Sequence, residues 1–310
     1  MSGKQLIRLA LAFGVLLLVW AAAALARRRE AAPADAFRLP PIARSTADTV
    51  MLERSSDTIV LARKDTSTWT VNGYPAGRPA VTDLLAALAD SAPKSELVAE
   101  RRASHAAFGV GGDSGTRVRV RGGGRTLADL IVGRRSMDFS GGYVRRADQE
   151  PTYLVRGRLV ELLSRSRDEW RDHRIATVPA DSVAAIEISR GTRRYALRRA
   201  GKGWTSSLGG PVDSARVADL LAAYRPVDAS GFASAAQADS ARFASPDRRT
   251  RLLRSNRTPL LTLLFDSTAA GFWVRADTGK TIYRIDSYTA DRLAPVDSGF
   301  RVRARASSGR

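Results

Sequence analysis

The chain contains two histidines, and neither stands in a pattern that predicts catalysis. His105 directly follows Ser104, and neighbours in sequence do not form a nucleophile–base pair without a third group that orients the base. His173 lies in a stretch rich in tryptophan and arginine and is interpreted as a residue that orients a domain junction. With two histidines and no cysteine, the chain has little material for a His-based metal site. We therefore expect no metal site.

The most glycine-rich loop runs from Phe108 to Gly115. A dinucleotide-binding fingerprint needs a strand before the glycines and a helix after them. Here the following residues, Arg117 to Arg121, alternate arginine with valine, which is typical of a half-buried strand. The pattern favours a flexible loop over a phosphate site, and no cofactor is predicted.

Aspartates and tryptophans complete the candidate groups. Four scattered aspartates show no calcium-loop spacing; they are Asp113, Asp129, Asp138 and Asp148. Three tryptophans stand where a strand must pack on a helix, which favours core positions over ligand cages; they are Trp69, Trp204 and Trp273. The sequence thus offers no catalytic residue, and we expect that the protein is not an enzyme.

Composition limits the class of partner. The 310 residues carry 50 Lys and Arg against 31 Asp and Glu, a formal net charge of +19. These basic residues are spread along the chain and are not interleaved with aromatics, as a platform for single-stranded nucleic acid would require. Arginines on solvated faces are the simpler interpretation, and no nucleic-acid partner is expected. The hydrophobic fraction of 44% is enough to fill folded cores.

An uncharged apolar run extends from Leu9 to Ala26. At ~1.5 Å per residue it forms a helix of about 27 Å, close to the ~30 Å of a hydrocarbon core. The alternative is a cleaved signal peptide, because Ala24-Leu25-Ala26 resembles a cleavage site. The length of the run and the three arginines after it, Arg27 to Arg29, favour an uncleaved anchor over residues 1–30. Residues 31–48, with three prolines, are interpreted as a linker.

Two stretches repeat one pattern: tryptophan, a Gly/Pro turn and an apolar helix. The first runs from Trp69 to Leu88 and the second from Trp204 to Tyr224. Further pairs keep a common offset of 129 residues: Gly142 and Gly271, Ala147 and Ala276, Asp148 and Asp277, Thr152 and Thr281. Conserved order over such a span predicts an internal repeat.

The predicted fold class is α+β. It consists of two tandem pseudo-repeat units of mostly antiparallel sheet with a few helices each, after one N-terminal transmembrane helix. The units are assigned to residues 49–170 and 171–300, with a flexible tail over 301–310. Trp170, in the seam between the units, is expected to pack at their junction. Helices are predicted over 80–88, 158–163, 214–224 and 287–293, with strands between them.

The repeated Trp-turn-helix pattern, the Phe108-Gly109-Val110 stretch and the Trp170-Arg171-Asp172 seam together resemble the bacterial DUF4340 family. The resemblance covers residues 50–295. Where the first unit has Phe108-Gly109-Val110, the second has Phe243-Ala244-Ser245. The resemblance implies a membrane-anchored extracytoplasmic protein, often encoded beside ABC-transporter components, and it implies no catalytic residues.

Flanking charge does not decide orientation, because Lys4, Arg8 and the amino terminus oppose the three arginines after the run. The resemblance and the long C-terminal part favour a single-pass protein of the cell inner membrane with its bulk in the periplasm. Two functions compete: a non-catalytic scaffold or auxiliary subunit of an envelope or ABC-transporter-type complex, and a binding module for acidic envelope glycan or anionic lipid. The second requires dispersed arginines to converge on one face.

Overall fold

A computed structural model of the chain describes residues 36–112 and 114–301. It divides into two compact units between Arg171 and Asp172. Each unit is built on a sheet of antiparallel strands with a few helices, which confirms the predicted α+β class. The predicted anchor, Leu9 to Ala26, lies outside the described residues. Among those that are described, none of the helices combines the length and apolarity needed to span a bilayer.

Unit 1 contains a nine-stranded sheet with the order β4-β3-β2-β1-β6-β7-β8-β9-β5. Its strands alternate buried and exposed residues, as expected when one face covers a core. The strands are β1 (Thr49–Glu53), β2 (Thr58–Arg63), β3 (Trp69–Val71), β4 (Tyr74–Pro75), β5 (Ser95–Ala99), β6 (Thr116–Gly122), β7 (Arg125–Arg135), β8 (Gly141–Arg146) and β9 (Thr152–Arg156).

Helices cover the core face of this sheet. The predicted helix after the Gly/Pro turn is α1 (Arg78–Ala89), which has a proline in its first turn and buries Val81, Leu84, Leu85 and Leu88. Helix α3 (Leu159–Leu163) lies on the same face and α4 (Arg167–Trp170) adds Trp170 to the core, whereas the short α2 (His105–Phe108) packs on the opposite face, where Phe108 contacts Tyr143.

The core of unit 1 also includes residues from the stretch interpreted as a linker. Phe37, Leu39 and Ile42 are buried among the strands and α1. The Phe37 amide donates to Ser95 Oγ at 2.9 Å. The chain is therefore packed into unit 1 from Phe37 onward, twelve residues before β1 begins.

Unit 2 contains an eight-stranded sheet with the order β13-β12-β11-β16-β17-β18-β19-β15, and a two-stranded sheet of β10 and β14. The strands are β10 (Arg174–Ala176), β11 (Ala185–Arg190), β12 (Arg193–Ala200), β13 (Gly203–Ser206), β14 (Val227–Asp228), β15 (Gly231–Phe232), β16 (Arg248–Leu253), β17 (Pro259–Thr268), β18 (Gly271–Ala276) and β19 (Tyr283–Ile285). The helices are α5 (Ser214–Ala222), α6 (Ala235–Ser240) and α7 (Ser287–Leu293).

The two main sheets share one strand order. Adding ten to each strand number of the unit 1 sheet gives the strand order of the unit 2 sheet, apart from the short β4, which has no counterpart there. Helix α1 follows β3 as α5 follows β13, and α3 follows β9 as α7 follows β19. This identity of plan is what the sequence repeat predicted.

Strand pairing corrects the offset of the repeat in β8 and β18. Gly141 and Gly271 hold the same place, since a Cβ on them would lie 2.0 Å from Val155 O and 2.4 Å from Ile285 O, respectively. The offset here is therefore 130 residues, and the predicted match of Gly142 with Gly271 is wrong by one. Two adjacent glycines at 141 and 142 hide this slip in the sequence, although one residue exchanges the faces of a strand.

Arginines recur in matched structural roles. Arg54, just after β1, donates to the carbonyls of Leu163 and Arg165 at 2.7 and 2.6 Å. Arg190, at the end of β11, donates to Ala294 O at 3.1 Å. Both guanidinium groups thus satisfy carbonyls left without partners at the C-terminal end of α3 or α7.

A second matched pair joins arginine to tryptophan. The Arg63 guanidinium lies over the Trp69 ring at 4.8 Å, and that of Arg199 lies over Trp204 at 5.2 Å. Arg63 also donates to Ala47 O, while Arg199 donates to carbonyls of residues 180 and 183. Trp69 is buried as predicted, but Trp204 is only half-buried at the edge of its core, so full burial of both rings is not found.

Each unit closes through a late aromatic residue. The Gly77 amide donates to Trp170 O at 2.8 Å, and the Asp213 amide donates to Phe300 O at 2.8 Å. Trp170 has 0% exposure and belongs to the core of unit 1. The prediction that Trp170 packs at the junction of the two units is therefore corrected. The ring lies in the core of unit 1, and the hydrogen bond from the Gly77 amide holds the Trp170 backbone beside the start of α1.

Candidate binding surfaces

The two histidines hold backbone carbonyls. His105 is buried, and its Nε2 lies 2.7 Å from Glu150 O. His173 Nδ1 lies 3.0 Å from Ala229 O, and its ring meets the edge of Phe232 at 4.8 Å between centroids. These contacts explain both residues by local structure. Within residues 36–112 and 114–301, no cluster of three His, Asp or Glu side chains is arranged to hold a metal.

The glycine-rich loop packs on β7. A Cβ on Gly115 would lie 2.5 Å from the Ile131 side chain, and one on Gly133 would lie 2.3 Å from Phe108 O. The glycines therefore permit close approach of two backbone segments. The element after the loop is strand β6, as predicted. Asp113, within this loop, lies outside the described residues.

The other three of these four aspartates lie on the surface of unit 1. Asp129 accepts two hydrogen bonds from Arg117, at 2.9 and 2.6 Å. Asp138 lies in the turn between β7 and β8, where hydrogen bonds from Ser136 and Ser140 hold the pKa of its carboxyl below the usual range. Asp148 is exposed.

A small apolar cluster on the second face of unit 2 contains the last of the three tryptophans. Trp273 is buried with Phe243 and Leu264. The Arg275 guanidinium lies 4.7 Å from the Phe243 ring centroid. Trp273 is therefore a core residue, as predicted. Phe243 packs in the same cluster, although the residue after it is alanine, whereas glycine follows Phe108 in unit 1.

Arginines converge on the outer face of the unit 2 sheet. Ile186 and Ile188 of β11 are buried, so Glu187 and Ser189 face the other way. Ser189 is flanked by Arg194 on β12 and by Arg249 on β16, which are its register partners. We call Arg194, Ser189 and Arg249 the arginine row.

The arginine row borders an open groove of ≈ 380 Å³. Arg194 and Arg249 are exposed, and two strand spacings of ~4.8 Å put their Cα atoms about 10 Å apart. Beside the row, Arg251 forms a 2.9 Å ion pair with Glu187. In the part of the chain that the structure describes, no ion pair is found to Arg194 or Arg249. The groove can therefore attract an anion.

The corresponding row of unit 1 is neutral. It consists of Thr58, Glu53 and Arg117, in the same places on β2, β1 and β6. Glu53 is itself bound by Arg119 at 2.6 Å. The two units have the same fold, but only unit 2 has a positively charged row at these positions. The charge of the arginine row is therefore not required by the fold.

A second matched feature is a groove in the helical layer of each unit. In unit 1 it has a volume of ≈ 310 Å³ and lies between α1 and α3, with Asp83, Ala86 and Leu162 among its lining residues. In unit 2 it has ≈ 290 Å³ and lies between α5 and α7, lined in part by Asp219 and Tyr288. Tyr288 is 72% exposed. Each unit thus offers a concave surface of similar size and place.

These surfaces were not identified from the sequence. Arg194 and Arg249 are far apart along the chain, and only pairing of β11 with both β12 and β16 brings them to one row. Alternation of arginine with buried residues in β16 was a usable signal, because it fixes the outward face once the strand is assigned.

Comparison with known families gives one match. The model of DUF4340, a domain of unknown function, matches residues 69–246, more than half of the chain. The matched stretch begins at β3 and ends just before β16, so it contains Trp69, Trp204 and both long helices α1 and α5. Neither a curated protein nor a solved structure matches this sequence.

Proposed function

Because the chain belongs to the DUF4340 family, whose domain has no assigned activity, we propose a function from its surfaces. The protein is a non-catalytic scaffold or auxiliary subunit of an envelope or ABC-transporter-type complex. It is held in the cell inner membrane by residues 1–30, with both units in the periplasm. The apolar run from Leu9 to Ala26 supports the anchor.

The observation that carries this proposal is the duplication of the helical groove. One chain presents two concave surfaces of ≈ 310 and ≈ 290 Å³ built on the same strand order. The histidines and Asp129 are engaged in structural bonds. A protein with two grooves at equivalent positions of two repeated units is suited to bind two related segments of a membrane complex.

Pull-down of the full chain in mild detergent is expected to recover transporter-like membrane components. Ala86→Trp fills the unit 1 groove and should reduce their recovery severalfold, because Ala86 lines that surface. Thr82→Trp is the matched control, since Thr82 is exposed on the same helix and does not line the groove. Equal recovery with both variants contradicts the groove as the docking surface. Turnover by the purified protein, abolished by changing one polar residue, would overturn the non-catalytic function.

The proposed topology gives a separate result. A periplasm-dependent reporter fused after residue 310 should be active, and a cytoplasm-dependent one should be silent. The reason is that a single uncharged run leaves everything after it on one side of the bilayer. The opposite pair of results would place both units in the cytoplasm and exclude the periplasmic assignment.

A second function is favoured by the arginine row. Arg194 and Arg249 supply positive charge beside the Ser189 hydroxyl in a groove of ≈ 380 Å³. Guanidinium groups bind carboxylate, sulfate and phosphate oxygens well. Two of the dispersed arginines thus lie on one face of unit 2, which supports a polyanion-binding module. Tight, salt-sensitive retention on an acidic glycan, without transporter components, would favour this function.

A further inference from the structure

Among the described residues of unit 1, the turn between β7 and β8 carries the most exposed large apolar side chains. Met137 is 96% exposed and Phe139 is 72% exposed. We call residues 136–140 the hairpin tip. Large apolar groups held in water at the end of a hairpin indicate contact with another apolar phase.

The hairpin tip is held rigidly by its own hydrogen bonds. Ser136 is buried, and its hydroxyl oxygen accepts a hydrogen bond from the Gly141 amide at 3.1 Å. The Phe139 amide donates to Ser136 O at 3.0 Å. Phe139 has a φ of 56°, in the left-handed region that aromatic residues rarely adopt. The turn therefore keeps the ring outside the unit against a backbone cost.

The fold does not require this tip. In unit 2 the equivalent hairpin closes through the pair Thr268 and Gly271, with two alanines between them. Twelve steps separate the paired residues Val132 and Val144 in unit 1, whereas nine separate Phe265 and Val274 in unit 2. The extra residues and the apolar side chains are thus an addition specific to unit 1.

Basic side chains surround the apolar ones. Arg135 and Arg156 are exposed, and Arg135 lies 5.5 Å from the Phe139 ring. The carboxylate at the tip, Asp138, lies 3.6 Å from the Arg156 guanidinium. A net positive collar below two apolar groups matches the order of charges in a bilayer, where anionic headgroups lie outside the acyl chains.

The chain enters unit 1 close to this hairpin. Phe37 is fixed to Ser95, which is the register partner of Val155, which in turn pairs with Gly142 of β8. The entry of the chain therefore lies two strand spacings, about 10 Å, from the hairpin. Ten residues, and so eleven Cα-to-Cα steps, connect Ala26 to Phe37, and at up to ~3.6 Å per step they hold unit 1 within about 40 Å of the proposed anchor.

We propose that the hairpin tip inserts Met137 and Phe139 into the headgroup region of the anionic bilayer in which the chain is anchored. The arginine collar contacts lipid phosphates, and the tip becomes a second attachment point that fixes the orientation of unit 1. This inference rests on the membrane anchor of the proposed function.

A single thiol at the tip tests the insertion, because the chain has no cysteine. The full chain with Met137→Cys, labelled with the fluorophore NBD, is reconstituted in phosphatidylcholine vesicles with a minor fraction of phosphatidylglycerol. We expect the NBD emission to shift to the blue and to be quenched by spin labels on lipid acyl chains near the headgroups. Ala269→Cys, in the equivalent hairpin of unit 2, is the matched control and should remain accessible to aqueous iodide.

A second variant tests whether the Phe139 ring contributes to insertion without changing the fold of the turn. Phe139→Asn removes the aromatic group but suits a positive φ, so the labelled Met137→Cys chain should keep its melting temperature while the blue shift becomes smaller. The insertion is refuted when the label at 137 stays open to iodide although the protein floats with the vesicles; the anchor then still stands. Failure to float refutes anchor and insertion together. A blue shift that disappears on dilution of protein in lipid indicates contact between protein copies instead.

Discussion

Replacement of Trp170 by alanine is expected to lower the free energy of unfolding of unit 1 by about 3–5 kcal/mol, the range found for large-to-small changes of buried aromatics. The side chain has 0% exposure and packs among the core residues of unit 1. Arg165 lies over its ring at 5.4 Å, so this contact is lost as well. Hydrogen exchange read by mass spectrometry in increasing urea can follow peptides of unit 1 in the full chain.

Trp204→Ala serves as the comparison, since the same residue type is only half-buried in unit 2. The Trp204 side chain buries less apolar area than Trp170. Its replacement by alanine should therefore lower the free energy of unfolding of unit 2 by only about 1–2 kcal/mol. A larger loss at Trp204 than at Trp170 would contradict the assignment of Trp170 to the core.

Removal of two charges from the arginine row should weaken polyanion binding strongly. A basic side chain near an anionic surface contributes about 1 kcal/mol, so Arg194→Gln with Arg249→Gln should raise the Kd for dextran sulfate about tenfold to thirtyfold. The expected loss is large because the two groups share one groove. Fluorescence anisotropy with labelled dextran sulfate, for the full chain in detergent, measures the change.

The shared fold supplies the control for that measurement. Arg117→Gln with Arg121→Gln removes the same charge from the outer face of unit 1, where Glu53 and Asp129 already offset the arginines. This variant should change the Kd by less than about threefold, the range of exposed ion pairs. Equal losses in both variants would mean that net charge, and not the row, governs binding.

Local patterns were sufficient for the fold class and for the repeat. Trp69 and Trp204 were recognised as equivalent positions, because each is followed by a Gly/Pro turn and an apolar helix of 3.6-residue period. Strand β15 has two residues and no periodicity, and the pattern therefore could not reveal it. The recurrence of Arg54 and Arg63 as Arg190 and Arg199, both 136 residues on, was readable in the sequence and would have predicted their shared roles.

The surfaces depended on pairing that sequence does not state. A strand pattern defines which residues share a face, but not which strands are neighbours. Arg194 and Arg249 therefore remained separate basic residues until β11 was placed between them. Met137 and Phe139 were not singled out from the sequence, because their exposure depends on the closed turn made by Ser136.

The hydrogen bond between Gly77 and Trp170 joins two residues that leave the ribosome at different times. Strands β1 to β3, and later β6 to β9, join neighbours along the chain, so they can pair while the chain is still growing. The last core side chain of unit 1 arrives more than ninety residues after the turn that receives it. At ~5–20 residues per second, the partly built sheet waits for several seconds. Throughout that interval its helical layer lacks the Trp170 ring, and its apolar surface is open to chaperones.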